Sequence, residues 1–362
     1  MKERSYSSFF SSVYARQKKR RPLQGQIELT YRCNLDCIHC YAKGVENSPE
    51  ELTTKQLKNI LDQIAGQGCI NLCLTGGEPL LRHDFPEIYS YAKKKGFLIT
   101  IFTNGLFLTK ESIDLFRKQP PFSIEITVNG ITKDTYETIT QTPGSFETLM
   151  DNLSLAAESG LPLIIKTNCL RQNKDEIGRI KEWTEGLLGK PLNNKHHFKY
   201  DPMIYPRLNG DKTPTTFRLS FDELKDLRKQ DIDIWEEYQR RLSSEQPDLG
   251  RDKRFLYRCT AWVEQFFINP YGRLKFCQFS DKFSVDLKTT SFRQGFYQAF
   301  PALLSQEFKT GSKCKDCSLR PLCYHCPARA SLETGDEEAP VEYYCRLARK
   351  TKEAIALETA KA

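Results

Sequence analysis

The sequence lacks a long hydrophobic run. Nothing in its 362 residues approaches the roughly 20 consecutive apolar residues of a membrane-spanning helix. The basic residues near the N-terminus follow the modest apolar stretch around Phe9 and Phe10, whereas in a signal peptide the basic residues precede a longer apolar segment. We therefore expect a cytoplasmic protein with no membrane partner.

The sequence also lacks a large net charge outside one short basic segment near the N-terminus. The formal charge is +8, and five of these charges come from Arg16, Lys18, Lys19, Arg20 and Arg21. The isoelectric point near 8.7 lies below the range typical of nucleic-acid-binding domains. We interpret residues 1–25 as a basic N-terminal arm that is solvated, with binding of an acidic peptide or of nucleic acid as the alternative.

Cysteine, in contrast, is abundant. Thirteen cysteines in a chain without an export signal favour reduced thiols that hold metal, because disulfides are rare in the cytosol. Cys33, Cys37 and Cys40 in CNLDCIHC have Cx3Cx2C spacing, so they can ligate three irons of a four-iron cluster and leave the fourth open for chemistry. A zinc knuckle is the alternative, but His39 lies between two ligands and no other Cys or His follows until Cys69.

Six β-rich runs alternate with helical patterns over the first two hundred residues. Thr53 and Gln56 form a capping-box pair ahead of apolar residues spaced for one helical face. The alternation predicts a parallel sheet, and six units are too few for a closed (β/α)8 barrel. We predict an α/β fold with a partial (β/α)6 barrel over residues 26–206. The runs are 26–31, 71–74, 97–102, 122–129, 162–169 and 197–204.

Polar residues and glycines stand where these predicted strands end, which is the active-site edge of such barrels. Gly76, Gly77 and Glu78 follow the second run, where glycines allow close backbone approach and a carboxylate can accept from an ammonium group. Asp201 ends the sixth run and is a candidate for proton transfer, with a turn before Pro202 as the alternative. Further candidates for ligand contacts, or else turn residues, are Asn104, Thr127 and Asn168.

The pattern changes after residue 206. Residues 207–258 predict a linker and one long amphipathic bridging helix, and residues 259–350 predict a small α+β cysteine-rich domain before a tail at 351–362. Asn269–Gly272 predicts a hairpin turn. The cysteines are too many for one tetrahedral site, and iron-sulfur clusters or paired zinc sites both suit them. They are Cys259, Cys277, Cys314, Cys317, Cys323, Cys326 and Cys345.

These motifs resemble the radical S-adenosylmethionine (SAM) enzymes that carry a C-terminal SPASM domain, the auxiliary-cluster module of peptide maturases. The resemblance implies a [4Fe-4S] cluster on the Cx3Cx2C cysteines, with SAM bound to it and contacted by the GGE segment at Gly76, Gly77 and Glu78. It also implies two auxiliary [4Fe-4S] clusters, the first on Cys259, Cys277 and Cys326 with an unassigned fourth ligand. The second would lie on Cys314, Cys317, Cys323 and Cys345. The spacing from Cys323 to Cys326 is one residue shorter than the family pattern.

The resemblance further implies the reaction. Such an enzyme reductively cleaves SAM to a 5′-deoxyadenosyl radical and oxidatively modifies a ribosomally synthesised peptide or protein, through a crosslink, a thioether or another side-chain or backbone change. Gln278 stands where anaerobic sulfatase maturases carry Asp, which disfavours formylglycine formation. An external donor such as flavodoxin or ferredoxin would supply electrons. Only about 25 residues precede the first strand, so leader recognition would fall to a separate leader-binding protein or to the barrel.

Two other functions stay open from the sequence. One keeps the radical chemistry and acts on a small molecule such as an amino sugar. The other is a noncatalytic zinc-binding interaction protein, which would have no need for Glu78.

Overall fold

The computed structural model describes residues 20–45, 50–189, 197–229, 232–243, 253–258 and 264–359. Cys259 and most of the basic arm lie outside these ranges. Arg20 lies within them, and its guanidinium carbon is 4.3 Å from the centre of the Phe296 ring and 5.0 Å from that of Phe300. The expected solvated arm is therefore wrong at this residue, because aromatic packing holds the cation.

Six parallel strands form the predicted partial (β/α)6 barrel. They lie in chain order across the sheet, and each pairs in parallel with its neighbours. The fold class predicted from the sequence is thus confirmed, with the first strand beginning two residues earlier than expected. The strands are β1 (Gln24–Glu28), β2 (Asn71–Thr75), β3 (Leu98–Thr103), β4 (Ser123–Thr127), β5 (Leu163–Asn168) and β6 (Phe198–Asp201).

Amphipathic helices cover the outside of the barrel. The capping box ahead of the first helix is present: the Thr53 hydroxyl accepts from the Gln56 amide, and the Gln56 side chain accepts from the Thr53 amide. The apolar face predicted for this helix is buried. The helices are α1 (Thr54–Gly66), α2 (Phe85–Lys94), α3 (Lys110–Lys118), α4 (Lys133–Thr140), α5 (Ser145–Glu158) and α6 (Ile177–Leu188). Helix α4 was not predicted, since only Tyr136 and Ile139 mark its apolar face.

The bridging segment differs from the prediction of one long helix. Two helices lie here, α7 (Phe221–Lys229) and α8 (Ile232–Ser243). Positions 230–231 between them are not among the described residues. Among the residues that the structure describes, no helix combines the length and apolar character needed to cross a membrane.

The C-terminal region continues the barrel sheet. Strand β7 (Gln265–Ile268) pairs in parallel with β1, β8 (Arg273–Lys275) pairs antiparallel with β7, and β9 (Val285–Asp286) pairs antiparallel with β8. The predicted hairpin is present between β7 and β8, and Gly272 adopts φ +85° in its turn. One continuous sheet therefore runs from β6 to β9.

Helices complete this region. Helix α9 (Phe292–Gln294) leads through a π-helical turn (Gly295–Ala299) into α10 (Phe300–Leu304). Two more helices follow, α11 (Pro327–Thr334) and α12 (Glu342–Thr359). The segment predicted as a C-terminal tail from residue 351 continues α12 through Thr359.

Candidate active site

A cavity of about 520 Å³ lies at the carboxyl ends of the barrel strands. This is where parallel barrels place their chemistry. Glu78 is the one predicted barrel residue that does not line it. The predicted residues on its wall are Cys33, Cys37, Cys40, Gly76, Gly77, Asn104, Thr127, Asn168 and Asp201.

The three cysteines of CNLDCIHC lie together on this wall. The pKa of the Cys33 thiol is raised to about 11, mainly by burial and to a smaller extent by the charges of Glu78 and Cys40. Burial also raises the pKa of Cys37, with added repulsion from Cys40 and Cys33. A bound cationic metal group would lower the pKa of these thiols again, because thiols that coordinate a metal are deprotonated. In the described ranges, no three Cys, His, Asp or Glu side chains lie close enough together to bind one metal ion. The thiolates of an iron-sulfur cluster do not have to lie that close, since each binds a different iron.

The paired glycines hold the loop that carries these cysteines. The amide of Gly77 donates to the Thr30 carbonyl at 2.7 Å, and the amide of Glu78 donates to the Arg32 carbonyl at 2.9 Å. A Cβ at Gly76, where φ is +152°, would lie 2.3 Å from the Thr30 carbonyl oxygen, and one at Gly77 would lie 2.3 Å from that of Arg32. Glycine is therefore required here by the approach of one backbone to another.

Glu78 lies behind the cavity wall and is fully buried. Its carboxylate accepts from the Asn104 amide at 2.8 Å, the Leu80 amide at 3.0 Å and the Thr103 hydroxyl at 2.9 Å. Burial raises its pKa to about 7, and these hydrogen bonds oppose the rise. Glu78 thus connects the end of β2 to the end of β3. Its predicted contact with the SAM amine stays a prediction.

Asn104 contacts the cysteine loop from the end of β3. Its side-chain amide donates to the Asn34 side chain at 2.8 Å and lies 3.7 Å from the Cys33 sulfur. The Glu78 carboxylate fixes the Asn104 backbone, so Glu78, Asn104 and Cys33 form one chain of contacts. Asn104 can therefore orient a thiolate as well as contact a ligand.

The opposite wall is built around Asn168, at the end of β5. Its amide donates at 2.9 Å to the side-chain oxygen of Asn129, which follows β4. Burial lowers the pKa of His39 to about 4, opposed by a hydrogen bond with the Asn168 side chain. His39 is thus a neutral ring between the cysteines and Asn168. Thr127 ends β4 on the same wall.

Sequence reasoning missed a group of charged residues inside the barrel. Lys199 on β6 contacts Glu125 on β4 at 2.7 Å, and Lys166 on β5 lies 3.5 Å from the other oxygen of the same carboxylate. The Lys166 ammonium is also 3.2 Å from the centre of the Phe102 ring. All four line the cavity. The available signal was a charged residue inside each of three strands whose alternate positions face inward.

Asp201 and Gln278 approach the cavity from different directions. Asp201 accepts from the Met203 amide at 2.8 Å, and burial raises its pKa while the charge of Arg329 opposes the rise. Gln278, just after Cys277, accepts at 3.2 Å from the side chain of Gln26 on β1. The position that the sequence singled out beside Cys277 is thus part of the cavity wall.

Most of the C-terminal cysteines surround a second cavity, of about 140 Å³. It is lined by Cys314, Cys317, Cys323 and Cys345, the set predicted for one auxiliary cluster. Cys345 lies on α12, which brings it back to the Cys314 loop. Four thiols around one cavity match the donor set of a four-iron cluster.

Cys277 and Cys326 lie apart from these four. Burial raises the pKa of Cys277 to about 11, and Cys326 is its next largest influence. Burial raises the pKa of Cys326, and the rise is opposed by the charge of Arg329 and by the hydrogen bond that the Cys326 sulfur accepts from the Arg329 amide in the first turn of α11. Their predicted partner Cys259 is outside the described residues.

Comparison with known proteins relates the chain to one enzyme superfamily. The sequence profile of the radical SAM superfamily matches residues 27–184. The AdoMet-dependent heme synthase of Methanosarcina barkeri (strain Fusaro / DSM 804) is 27% identical over 88% of this chain and 94% of that protein. The antilisterial bacteriocin subtilosin biosynthesis protein AlbA of Bacillus subtilis (strain 168) is 26% identical over 73% of this chain and 57% of AlbA.

A solved structure has the same overall fold. Streptococcus suis SuiB bound to the precursor peptide SuiA matches with a TM-score of 0.67 at 16% identity, over 92% of this chain and 77% of SuiB. At that identity the similarity concerns the fold.

Proposed function

Since residues 27–184 match the radical SAM superfamily, we propose that the protein reductively cleaves SAM and modifies a peptide or protein substrate by radical chemistry. The observation that carries this proposal is the meeting of the three cysteines and the Gly76–Gly77 turn on one wall of the cavity. A [4Fe-4S] cluster bound there would supply the electron that cleaves SAM. The match to this superfamily favours an enzyme over a noncatalytic zinc-binding protein.

In this proposal, each residue of the cavity wall has a separate role. Cys33, Cys37 and Cys40 would hold the cluster, while the glycine turn and Asn104 keep their loop in place. Thr127 and Asn168 face the same space and can donate to or accept from SAM. Asp201 lines the cavity, and in this proposal it would take a proton from substrate.

A peptide is the substrate that the relatives favour. AlbA is by name a protein of bacteriocin biosynthesis, and SuiB was solved with a precursor peptide in place. We propose a ribosomally synthesised peptide in preference to an amino sugar. A separate leader-binding protein and a flavodoxin or ferredoxin would be its partners in the cytoplasm, where thiols stay reduced.

A tetrapyrrole is the second candidate substrate. The heme synthase relative aligns over 94% of its length, whereas AlbA aligns over 57% of its own. The alignment with the heme synthase covers most of the C-terminal region as well as the barrel. Residues of that region, such as Gln278, line the cavity in which substrate would bind. This candidate keeps the same SAM chemistry.

The C-terminal cysteines would hold two auxiliary clusters. One would use Cys314, Cys317, Cys323 and Cys345, which already surround a single cavity. The other would use Cys277 and Cys326 together with Cys259 and a fourth ligand. Such clusters can accept the electron that substrate oxidation releases, because their potentials vary widely with ligation and burial.

The test is iron and sulfide analysis of anaerobically reconstituted protein, combined with a SAM cleavage assay. We expect about twelve irons in the wild type and about eight in a triple Cys33→Ala, Cys37→Ala, Cys40→Ala variant. With dithionite the wild type should release 5′-deoxyadenosine from SAM and the triple variant should not. Cys69→Ala is the matched control, since this thiol donates to the Leu23 carbonyl away from the cavity. Zinc in place of iron, or equal cleavage by the triple variant, would refute the proposal.

The substrate is then identified by stimulation of 5′-deoxyadenosine release. One reaction contains a precursor peptide encoded beside the gene, and the other contains an iron porphyrin with propionate side chains. A faster release with only one of them, together with a mass change in that compound, selects between the two candidates.

A further inference from the structure

The inner end of the cavity contains two lysines and one carboxylate. Glu125 lies between Lys199, at 2.7 Å, and Lys166, at 3.5 Å. The three side chains carry a net charge of +1 when ionised. Because they come from the neighbouring strands β4, β5 and β6, the rigid sheet fixes their spacing.

The surroundings of Lys166 make this excess charge costly. Its ammonium rests on the Phe102 ring, and burial lowers its pKa while Glu125 and the Cys73 thiol oppose that effect. A buried cation needs an anionic partner, and here one carboxylate serves two ammonium groups.

A second carboxylate on the cavity wall, Asp201, has Arg329 as its main positive neighbour. The Asp201 carboxylate accepts from the Met203 amide, and the positive charges that lower its pKa are Arg329 first and Lys166 second. The guanidinium of Arg329 stacks on Tyr205 at 4.3 Å. Within the group of Glu125, Lys166 and Lys199, positive charge therefore exceeds negative charge by one.

We propose that Lys166 and Lys199 bind a carboxylate of the substrate, so that the substrate is an acid held by these two lysines while SAM occupies the cysteine end of the cavity. Two ammonium groups and one incoming carboxylate, together with Glu125, give a neutral set of four charges. Glu125 keeps the two lysines apart before substrate arrives. This inference rests on the proposed function in one respect, that the cavity receives the substrate.

The carboxylate could belong to a tetrapyrrole propionate or to an acidic peptide residue, and the test contains a probe for each source. Binding of coproporphyrin III is compared with binding of its tetramethyl ester by absorbance. Binding of the labelled peptide Gly-Gly-Phe-Gly-Glu-Gly-Phe-Gly-Gly is compared with that of its Gln counterpart by fluorescence anisotropy. The reconstituted full-length protein is used without SAM or reductant.

The variants are Lys166→Met and Lys199→Met, with Glu125→Gln as a change of opposite sign. We expect each lysine variant to bind the acidic probe roughly tenfold or more weakly and the neutral probe unchanged. Glu125→Gln should bind the acid more tightly, because it leaves both ammonium groups unpaired. Lys133→Met removes an equal charge from an exposed pair with Glu147 and should change neither.

Acid-selective binding by the porphyrin assigns the carboxylate to a tetrapyrrole, and acid-selective binding by the peptide assigns it to a peptide. If neither acid binds better than its neutral counterpart, or the lysine variants bind the acid as the wild type does, the inference is wrong. Since no SAM is present, this outcome is independent of the 5′-deoxyadenosine assay, which alone tests the proposed function.

Discussion

Replacing Gly77 by alanine tests whether the glycine pair exists to hold the cysteine loop. The new Cβ would lie 2.3 Å from the Arg32 carbonyl oxygen and 2.7 Å from that of Tyr31. Cβ atoms essentially never come within 3.0 Å of such atoms, so the two backbones must separate by about 0.7 Å. Both contacts are to backbone, which leaves no flexible side chain to move aside.

The cost follows from what this separation disturbs. The amide of Gly77 donates to Thr30 at 2.7 Å, and that of Glu78 donates to Arg32 at 2.9 Å. Overpacking costs about 1–3 kcal/mol, and a buried hydrogen bond that is lost costs about 1–3 kcal/mol. We expect a loss of about 2–6 kcal/mol, a large part of the roughly 5–15 kcal/mol typical of a folded domain.

Guanidinium unfolding of the metal-free protein measures this loss, and iron analysis after reconstitution measures its effect on the cysteine loop. Gly178→Ala is the matched control, because Gly178 lies within α6 and a Cβ there meets nothing within 4 Å. The control should gain about 0.5–1 kcal/mol. A Gly77→Ala protein with the wild-type unfolding midpoint and the wild-type iron content would refute the reasoning.

Three further predictions concern single side chains. Since the pKa of Glu78 is about 7 when folded and near 4.5 ordinarily, the folded state binds its proton more tightly. Stability should therefore fall from pH 4.5 to 7, and urea unfolding should show a smaller fall in Glu78→Gln. Arg82→Met should lose about 3–5 kcal/mol in the same assay, because it leaves a buried carboxylate unpaired, whereas Lys58→Met, in an exposed pair, should lose under about 1 kcal/mol. Cys345→Ser should lower the iron content by about four, and Cys69→Ser should not change it.

Each of these has a contradicting result. An equal fall in stability with pH in Glu78→Gln would assign the pH dependence to other groups. Equal losses from the two cation variants would mean that burial does not set the strength of the ion pair. Full iron in the Cys345 variant would remove this residue from the auxiliary set.

Local signals in the sequence predicted much of the fold and one wall of the site. The Thr53 capping box, the Cx3Cx2C spacing and the glycine turn after β2 involve residues close in the chain, so their pattern is visible without the fold. The pairing of β7 with β1 joins residues about 240 positions apart through backbone hydrogen bonds, and such bonds leave no side-chain pattern.

The charged group at Lys166 escaped prediction for a different reason. In a closed packed barrel, an inward charge is unexpected, and polar alternation normally indicates a solvent-facing side. A partial barrel encloses a cavity, so inward positions such as Glu125 and Lys199 can be polar. The lengths of the strand and helix segments in the sequence do not show whether the barrel is closed and packed or partial with a cavity.

The C-terminal hairpin also helps to hold the loop of the first three cysteines. Glu28, at the end of β1, is buried and accepts from Tyr31 at 2.9 Å and from Tyr41 at 3.1 Å. These tyrosines flank the cysteine loop on both sides, so one carboxylate fixes both of its ends. Burial raises the pKa of Glu28, and among the charges that oppose the rise is that of Lys275 on β8. Lys275 in turn donates to the Gln278 carbonyl on the cavity wall. The barrel and the hairpin thus share one buried polar network, and the position of the cysteine loop depends on both.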